Sequence, residues 1–296
     1  MTTAKFAGRG GVIYEDLSAG DRPHVGQGRL LAARRLRTRH RTDTVNISGA
    51  VIVVTGAGSG IGRASALMLA ERGATVVAVD RDGEAIDKVT ATTGGLAIAV
   101  DIRDPQHGDA VIARVLERYQ RVDAVVANAG VGYVGYFATM PPENITTLVE
   151  VNFRGPLLLT RAALPSMTER GSGALVFTTS IAGGVPVPTE AAYCFSKSAL
   201  ETFADALREE LRPTGVTVTT VRPGVVRTAF HDDRNKPYSR KLPQPVEPEA
   251  IAAAIIDGIE TGKSRRTVPG WIEIAVTAQR RMPRVFEVMS RLFGGN

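Results

Sequence analysis

The chain contains a single cysteine, Cys194, which excludes an internal disulfide and any zinc site built on clustered thiolates. Such scarcity fits a reducing compartment. Its four histidines, His24, His40, His107 and His231, lack metal-ligand spacing, so no metal is expected. Aromatic residues make up only 5% of the 296 residues, and none interleaves with the arginine-rich stretch 34–41, as base stacking would require. No apolar run reaches the roughly 18 residues of a membrane-spanning helix, and the N-terminus lacks the continuous apolar segment of a secretory signal. The expectation is a soluble, cytoplasmic protein. What is present is apolar content of 44% against 22% charged residues, enough for a sizeable core and too much for a disordered chain.

The formal net charge of +6 is unevenly distributed. Residues 1–46 hold nine Lys/Arg against four Asp/Glu, and residues 263–296 hold seven against two, leaving 20 against 24 in the body between them. Residues 1–46 show no sustained periodicity and are expected to form a basic, disordered arm. Three roles are open to it: binding of nucleic acid or an anionic membrane, a solvated tail, or a translated region upstream of a later start near Val45. The absence of aromatics favours the last two, so no nucleic-acid partner is expected. The excess of Arg over Lys, 30 to 6, suggests a GC-rich coding sequence, which suits the start-site reading.

From Ala50 the character changes. The run Val51-Ile52-Val53-Val54 is followed at once by Gly56, Gly58, Gly60 and Gly62 and then by an apolar-rich helical stretch, which reads as strand, glycine loop, helix. Strand-like runs recur at Thr75–Val79, Leu96–Val100, Asp123–Ala127, Ala174–Thr179 and Val216–Val221, each separated by enough residues for a helix. Alternation of this kind predicts an α/β fold, a doubly wound, Rossmann-like parallel sheet in a single domain over residues 47–270. Glu249–Glu260 reads as one more helix and Arg266–Pro269 as a last edge strand. In residues 271–296, Met282, Val285, Phe286, Met289, Leu292 and Phe293 share one helical face while Arg280, Arg281, Arg284 and Arg291 lie largely elsewhere, which predicts a basic amphipathic helix. It would pack on its own domain or a second subunit, or rest peripherally on an anionic membrane.

A glycine loop between strand and helix lets backbone N–H groups approach a pyrophosphate, and the helix N-terminus adds a favourable dipole. Gly56, Ser59, Gly60, Ile61 and Gly62 are the candidates. Some 20 residues on, the second strand ends in Asp80, placed to bind an adenosine ribose and to repel the 2′-phosphate of NADP. The cofactor expected is therefore NAD, with NADP the lesser alternative through the adjacent Arg81. Asp101, with Ile102 after it, is a candidate adenine contact or a helix-capping acid.

With these motifs the chain resembles the short-chain dehydrogenase/reductases in their compact, single-domain branch. The likeness spans residues 48 to about 270 and rests on the loop from Thr55 to Gly62, on Asn128-Ala129-Gly130, Val151-Asn152 and Ser180, on Tyr193-Cys194-Phe195-Ser196-Lys197, and on Pro223-Gly224-Val225-Val226-Arg227-Thr228. The resemblance implies catalysis by Asn152, Ser180, Tyr193 and Lys197. It assigns cofactor contacts to Asn128, Tyr193 and Lys197, and it places Pro223, Val226 and Thr228 at the nicotinamide carboxamide. It also implies a homodimer or homotetramer, and a variable substrate loop at Arg227–Pro248.

Elementary chemistry agrees with those roles. Tyr193 and Lys197 are four apart and share a helix face. A phenol titrates near 10 in water, and a neighbouring ammonium together with oxidised nicotinamide is expected to lower that value, leaving Tyr193 as base for alcohol oxidation and acid for ketone reduction. Ser180 would stabilise charge on the substrate oxygen, and Asn152 would hold a water that relays the proton from Lys197. Cys194, beside them, reads as a small buried hydrophobe. Ala182, Gly183, Gly184, Val185 and Pro186 are small and mostly apolar, so the substrate expected is an apolar, lipid- or steroid-like secondary alcohol or ketone. The alternatives are an NADP-dependent carbonyl reductase and a non-catalytic nucleotide-binding or scaffold protein.

Overall fold

A computed structural model describes residues 44–230, 234 and 244–282. The chain alternates strand and helix: β1 (Val51–Thr55), α1 (Gly60–Glu71), β2 (Thr75–Asp80), α2 (Gly83–Thr93), β3 (Leu96–Ala99), α3 (His107–Tyr119) and β4 (Ala124–Ala127). There follow α4 (Pro142–Val149), α5 (Gly155–Arg170), β5 (Gly173–Thr178), α6 (Ala191–Leu211), β6 (Val216–Pro223), α7 (Pro248–Thr261), β7 (Arg265–Val268) and α8 (Ile272–Arg281). The seven strands form one sheet in the order β3-β2-β1-β4-β5-β6-β7, with every pairing parallel. The doubly wound α/β expectation holds, and the strand order reverses between β1 and β4.

β1 to β5 are largely apolar because both faces of the sheet are covered, whereas β6 also buries three threonines and Arg222, and the edge strand β7 reads Arg265-Arg266-Thr267-Val268. Alternate residues go to opposite faces. Ile52, Val54, Val76, Ala78 and Val126 meet Ala66 and Leu69 of α1 and Ile251, Ile255 and Ile259 of α7. Val51, Val53, Val77, Val125 and Phe177 meet Val111 and Val115 of α3, Leu159 and Met167 of α5, and Leu200 and Leu207 of α6. Val45 and Ile47 are buried in the first of these layers, so the packed body begins by Val45. Residues 1–43 of the expected arm, most of the 227–248 loop, and the apolar face from Val285 to Phe293 lie outside the described residues. Among the described residues no helix is long and apolar enough to cross a membrane.

Local chemistry sets the breaks. Asp82 caps α2 by accepting from the Ala85 N–H at 3.0 Å, and Gly94 ends the same helix at φ +67°. Between α4 and α5 the helix widens into a π turn over Glu150–Arg154. Pro156 lacks the N–H that would bond back to the carbonyl of Asn152, so the ladder cannot continue in α register there. Asn152 is thus carried on a distorted turn, where the sequence pattern places it in mid-helix.

At the opposite edge of the sheet Asp123 joins three elements. Its buried carboxylate accepts from the Val51 N–H of β1 at 2.8 Å and from Arg121 at 2.8 Å, and it faces Arg170 of α5 at 3.4 Å. Asp123→Ala removes all of these acceptors and should lower the unfolding free energy by about 2–3 kcal/mol. Urea titration followed by far-ultraviolet circular dichroism measures it, and a loss below about 0.5 kcal/mol would show the cluster to be energetically neutral.

Candidate active site

The carboxyl ends of β1, β4, β5 and β6 open onto one cavity of about 560 Å³. Gly56, Ser59, Gly60 and Ile61 of the glycine loop line it, together with Asn128, Pro223, Val226 and Thr228. Ser180, Tyr193 and Lys197 line the same cavity. The remaining sequence candidates stand around rather than in it.

Gly62, on α1, supports the loop from behind: a Cβ there would lie 1.9 Å from the Gly56 carbonyl oxygen and 2.7 Å from Asn128 Nδ2. Asp80 is oriented by the loop itself. Its Oδ2 accepts from the Gly58 N–H at 3.0 Å and its Oδ1 from the Asp82 N–H at 3.2 Å. Asp101 is clasped by Arg103, whose Nη2 lies at 2.6 Å, and this hydrogen-bonded partner holds its carboxyl below the usual carboxylate range against the opposing effect of burial. Ile102 packs at the start of α5, within 3.1 Å of where a Cβ on Gly155 would sit.

The α1 N-terminus fits a phosphate. Ser59 makes no side-chain cap and the first turn carries no acid, so its orphan N–H groups are not satisfied by the helix's own side chains. Gly56 and Gly60 adopt φ of +67° and +48°, conformations that favour glycine and keep the backbone bare toward the cavity. A bare helix N-terminus opening on the cavity, with Asp80 held beside the loop by Gly58, suits a dinucleotide.

Tyr193, Lys197 and Ser180 are all buried, with 6%, 4% and 8% of their surfaces exposed. Burial pushes the Tyr193 phenol up to about 12, while its hydrogen bond with Ser180 works in the opposite direction. The lowering expected for Tyr193 needs oxidised nicotinamide beside it as well as the ammonium. Desolvation dominates, and the Lys197 ammonium donates to the Thr178 carbonyl at 3.0 Å. Burial also pulls Lys197 down to about 8. Asn152 is fully buried, bonded through both amide atoms to the backbone of Val131 and through Nδ2 to Ser196 Oγ at 3.0 Å. A Cβ on Gly130 would sit 3.2 Å from Asn152 Oδ1 and 3.3 Å from Lys197 Nζ, so the amide and the ammonium flank the same glycine.

The outer wall is mostly apolar: Val134, Val185, Val187, Phe230, Ile272 and Ala275 line it, with the Arg234–Glu190 ion pair at 3.1 Å among them. The Phe230 ring lies 6.0 Å from that of Tyr193. Of the small segment expected before the tyrosine, Ala182 and Val185 line the cavity. Gly184 instead faces α8, where a Cβ would meet Val276 at 2.9 Å. Cys194 is half-buried beside the same apolar cluster, its thiol pushed up by burial. Sequence reasoning missed the contribution of Trp271, Ile272 and Ala275, since that segment reads as an independent amphipathic helix. It also missed Arg222, although a charged residue inside an otherwise neutral buried strand is itself a signal that partners wait for it.

Comparison with known proteins places this geometry. A family model described as short chain dehydrogenase matches residues 50–239. Dehydrogenase/reductase SDR family member 7B of Mus musculus is 34% identical over 191 residues, covering 62% of this chain and 59% of that protein. Probable oxidoreductase EphD of Mycobacterium tuberculosis is 34% identical over 265 residues, 82% of this chain and 45% of the relative. The chain thus spans about half the length of these curated relatives. A short-chain dehydrogenase structure from Streptomyces avermitilis aligns with a TM-score of 0.72 at 35% identity, covering 83% of this chain and 99% of that one. A 3-ketoacyl-(acyl-carrier-protein) reductase from Brucella melitensis, complexed with NADH, aligns at 0.68 and 30% identity over 75% of this chain and 97% of its own. An alcohol dehydrogenase from Thermococcus sibiricus, complexed with 5-hydroxy-NADP, aligns at 0.67 and 27% over 74% and 96%.

Gly62→Ala tests the bare approach of α1 to the loop. The added methyl cannot fit against the Gly56 carbonyl without moving backbone, and affinity for NADH should fall more than about tenfold. Titration of reduced-nicotinamide fluorescence measures it, and unchanged affinity would remove the loop from the binding site.

Proposed function

The chain belongs to the short-chain dehydrogenase/reductase family, and we propose that it moves a hydride between NAD(H) and an apolar, lipid- or steroid-like secondary alcohol or ketone. The observation that carries the proposal is the convergence of Ser180, Tyr193 and Lys197 on a cavity whose outer wall is mostly apolar. A bound nicotinamide supplies the hydride acceptor or donor. Around it, Gly56, Ser59, Gly60 and Ile61 hold the pyrophosphate on the helix N-terminus, with Gly62 allowing the close approach. Asp80 takes the adenosine ribose, Asp101 and Ile102 border the adenine, and Asn128, Pro223, Val226 and Thr228 border the nicotinamide half.

Tyr193 carries the transferred proton. With burial holding its phenol at about 12, it is protonated at neutral pH and poised to give a proton to a ketone oxygen. Ser180 hydrogen-bonds both the phenol and the substrate oxygen, favouring negative charge at either. Lys197 would hold the nicotinamide ribose hydroxyls, and its lowered value near 8 suits it to pass a proton to a water held at Asn152, which relays it to solvent. In the oxidation direction the phenol must first lose its proton, so that rate should climb as pH rises above neutrality.

Asp80 supports NAD over NADP. Its carboxylate is fixed against the loop by Gly58, so a 2′-phosphate would meet a negative charge that cannot swing away. The NADP alternative rests on Arg81. Phe195, 59% exposed on α6, supports a homodimer or homotetramer, and exposed Trp271, Ile274 and Met282 support a peripheral membrane contact near the cavity.

The test is a panel of alcohols and ketones assayed with NAD(H) and NADP(H) in parallel, read by reduced-nicotinamide absorbance. Apolar secondary alcohols or ketones should turn over with NAD(H), and Tyr193→Phe should lose at least about 10³ in kcat. Turnover confined to sugars or charged polyols would overturn the substrate class, preference for NADP(H) the cofactor, and hydride transfer unchanged in Tyr193→Phe the mechanism.

A further inference from the structure

Behind the cavity lies a buried charge cluster that the reaction does not use. Arg222, the penultimate residue of β6, is completely enclosed. Its Nε and Nη2 each donate to a Glu201 carboxylate oxygen at 2.8 Å, and its Nη1 donates to Glu273 at 2.7 Å. Glu201 also accepts from Thr179 Oγ1 at 3.0 Å, and Glu273 from the Thr267 hydroxyl of β7. The geometry is a planar fork with both carboxylates held by its own donors, the arrangement that guanidinium serves and ammonium does not.

Each partner sits next to a different part of the site. Thr179 precedes Ser180, and Glu201 follows Lys197 by one helical turn on the α6 face that carries Tyr193. Arg222 precedes Pro223 and Gly224, which line the cavity, and Glu273 lies on α8 between Ile272 and Ala275 of the cavity wall. The same helix leans on two glycines: a Cβ at Gly224 would strike Ile272 Cδ1 at 2.5 Å, and one at Gly184 would meet Val276 at 2.9 Å. Helix α8 therefore rests on bare backbone, and the Glu273 carboxylate is its charged attachment to Arg222.

We infer that Arg222, with Glu201 and Glu273, is a positioning residue that fixes the α8 wall of the substrate cavity relative to the helix carrying Tyr193 and Lys197. The inference rests on reading the cavity as the site of hydride transfer. The group acts on the substrate-facing wall and not on the glycine loop, so disturbing it should weaken substrate binding and spare the nucleotide. Guanidinium keeps its charge at every accessible pH, so the attachment does not titrate with the proton chemistry next to it.

Glu273→Gln is the informative variant, because its side chain is 39% exposed and the Arg222–Glu201 pair survives its neutralisation. The probe is NADH with 2-decalone, a rigid apolar ketone. KM for the ketone should rise about fivefold, with the NADH dissociation constant moving less than about twofold. Trp271, the only tryptophan, sits at the head of α8 on the cavity wall and reports the seating of that helix independently of turnover: acrylamide should quench it more in the variant. Should Glu273→Gln fail to fold, Thr267→Val removes only a neutral partner and should raise KM about twofold. A KM and a Trp271 quenching both equal to wild type would overturn the inference. Absence of ketone turnover in the wild type would overturn the functional reading instead, leaving Trp271 quenching to decide the attachment.

Discussion

In a sheet whose strands all run one way, every carboxyl end lies along the same edge, and this constraint decides where chemistry occurs here. The turn after β1, Asp80 at the end of β2, Asn128 after β4, Ser180 beyond β5 and Pro223 closing β6 arrive there on separate short loops. Only the sheet aligns them. The reversal of strand order at β1 and β4 splits the covering helices to either side and leaves a crevice over the middle of that edge. Packing in the two core layers is thus also the registration of the site, since a slip of one strand by one residue would turn every alternating Val and Ile to the wrong face and move its loop with it.

Much of this was legible in the sequence for identifiable reasons. Strands covered on both faces are rich in apolar and β-branched residues, so the runs from β1 to β6 stood out with errors of a residue or two at their ends, although β6 also buries three threonines and Arg222. The glycines after β1 could be placed because their job is to be absent: the 1.9 Å that a Gly62 methyl would leave to Gly56 admits no other residue. Tyr193 and Lys197 were legible through the resemblance to the short-chain dehydrogenase/reductases, and their four-residue spacing, one helical turn, agreed with it. The rest depended on contacts between segments distant in sequence. Asn152 sits on a π turn because Pro156 cannot continue the ladder, a departure that periodicity does not encode. Ile272 and Ala275 reach the cavity only through the tertiary path of the chain, and nothing local to them says so, whereas Phe230 lies in the stretch expected to form the substrate loop. What spacing could not convey about Tyr193 is its enclosure, and burial pushes the phenol up.

Two buried cations near the cavity show how the same fold handles permanent and exchangeable charge. Lys197 donates to the backbone carbonyl of Thr178, and burial brings its proton within reach of neutral chemistry. Arg222 has two carboxylates and keeps its proton. An ammonium facing a neutral acceptor is weakly held, while a guanidinium clasped by two acids is fixed in charge and orientation. They stand on neighbouring elements, α6 and β6, with Glu201 one turn from Lys197, so a charge that burial makes exchangeable lies beside one that is fixed.

That arrangement also qualifies what charge composition can say. The body of the chain is slightly acidic and its ends are basic, so a reading of net charge points outward, to the termini and their partners. Chemistry points inward. Lys197 and Arg222 are each under 5% exposed, contribute almost nothing to the field a ligand meets at a distance, and act over contacts of 3.0 Å or less. A surface charge is screened within a Debye length of about 10 Å, whereas a buried one is felt strongly by its immediate neighbours and demands partners or a shifted proton. The surroundings of these buried charges are made by the fold, so their electrostatic behaviour cannot be read from the sequence.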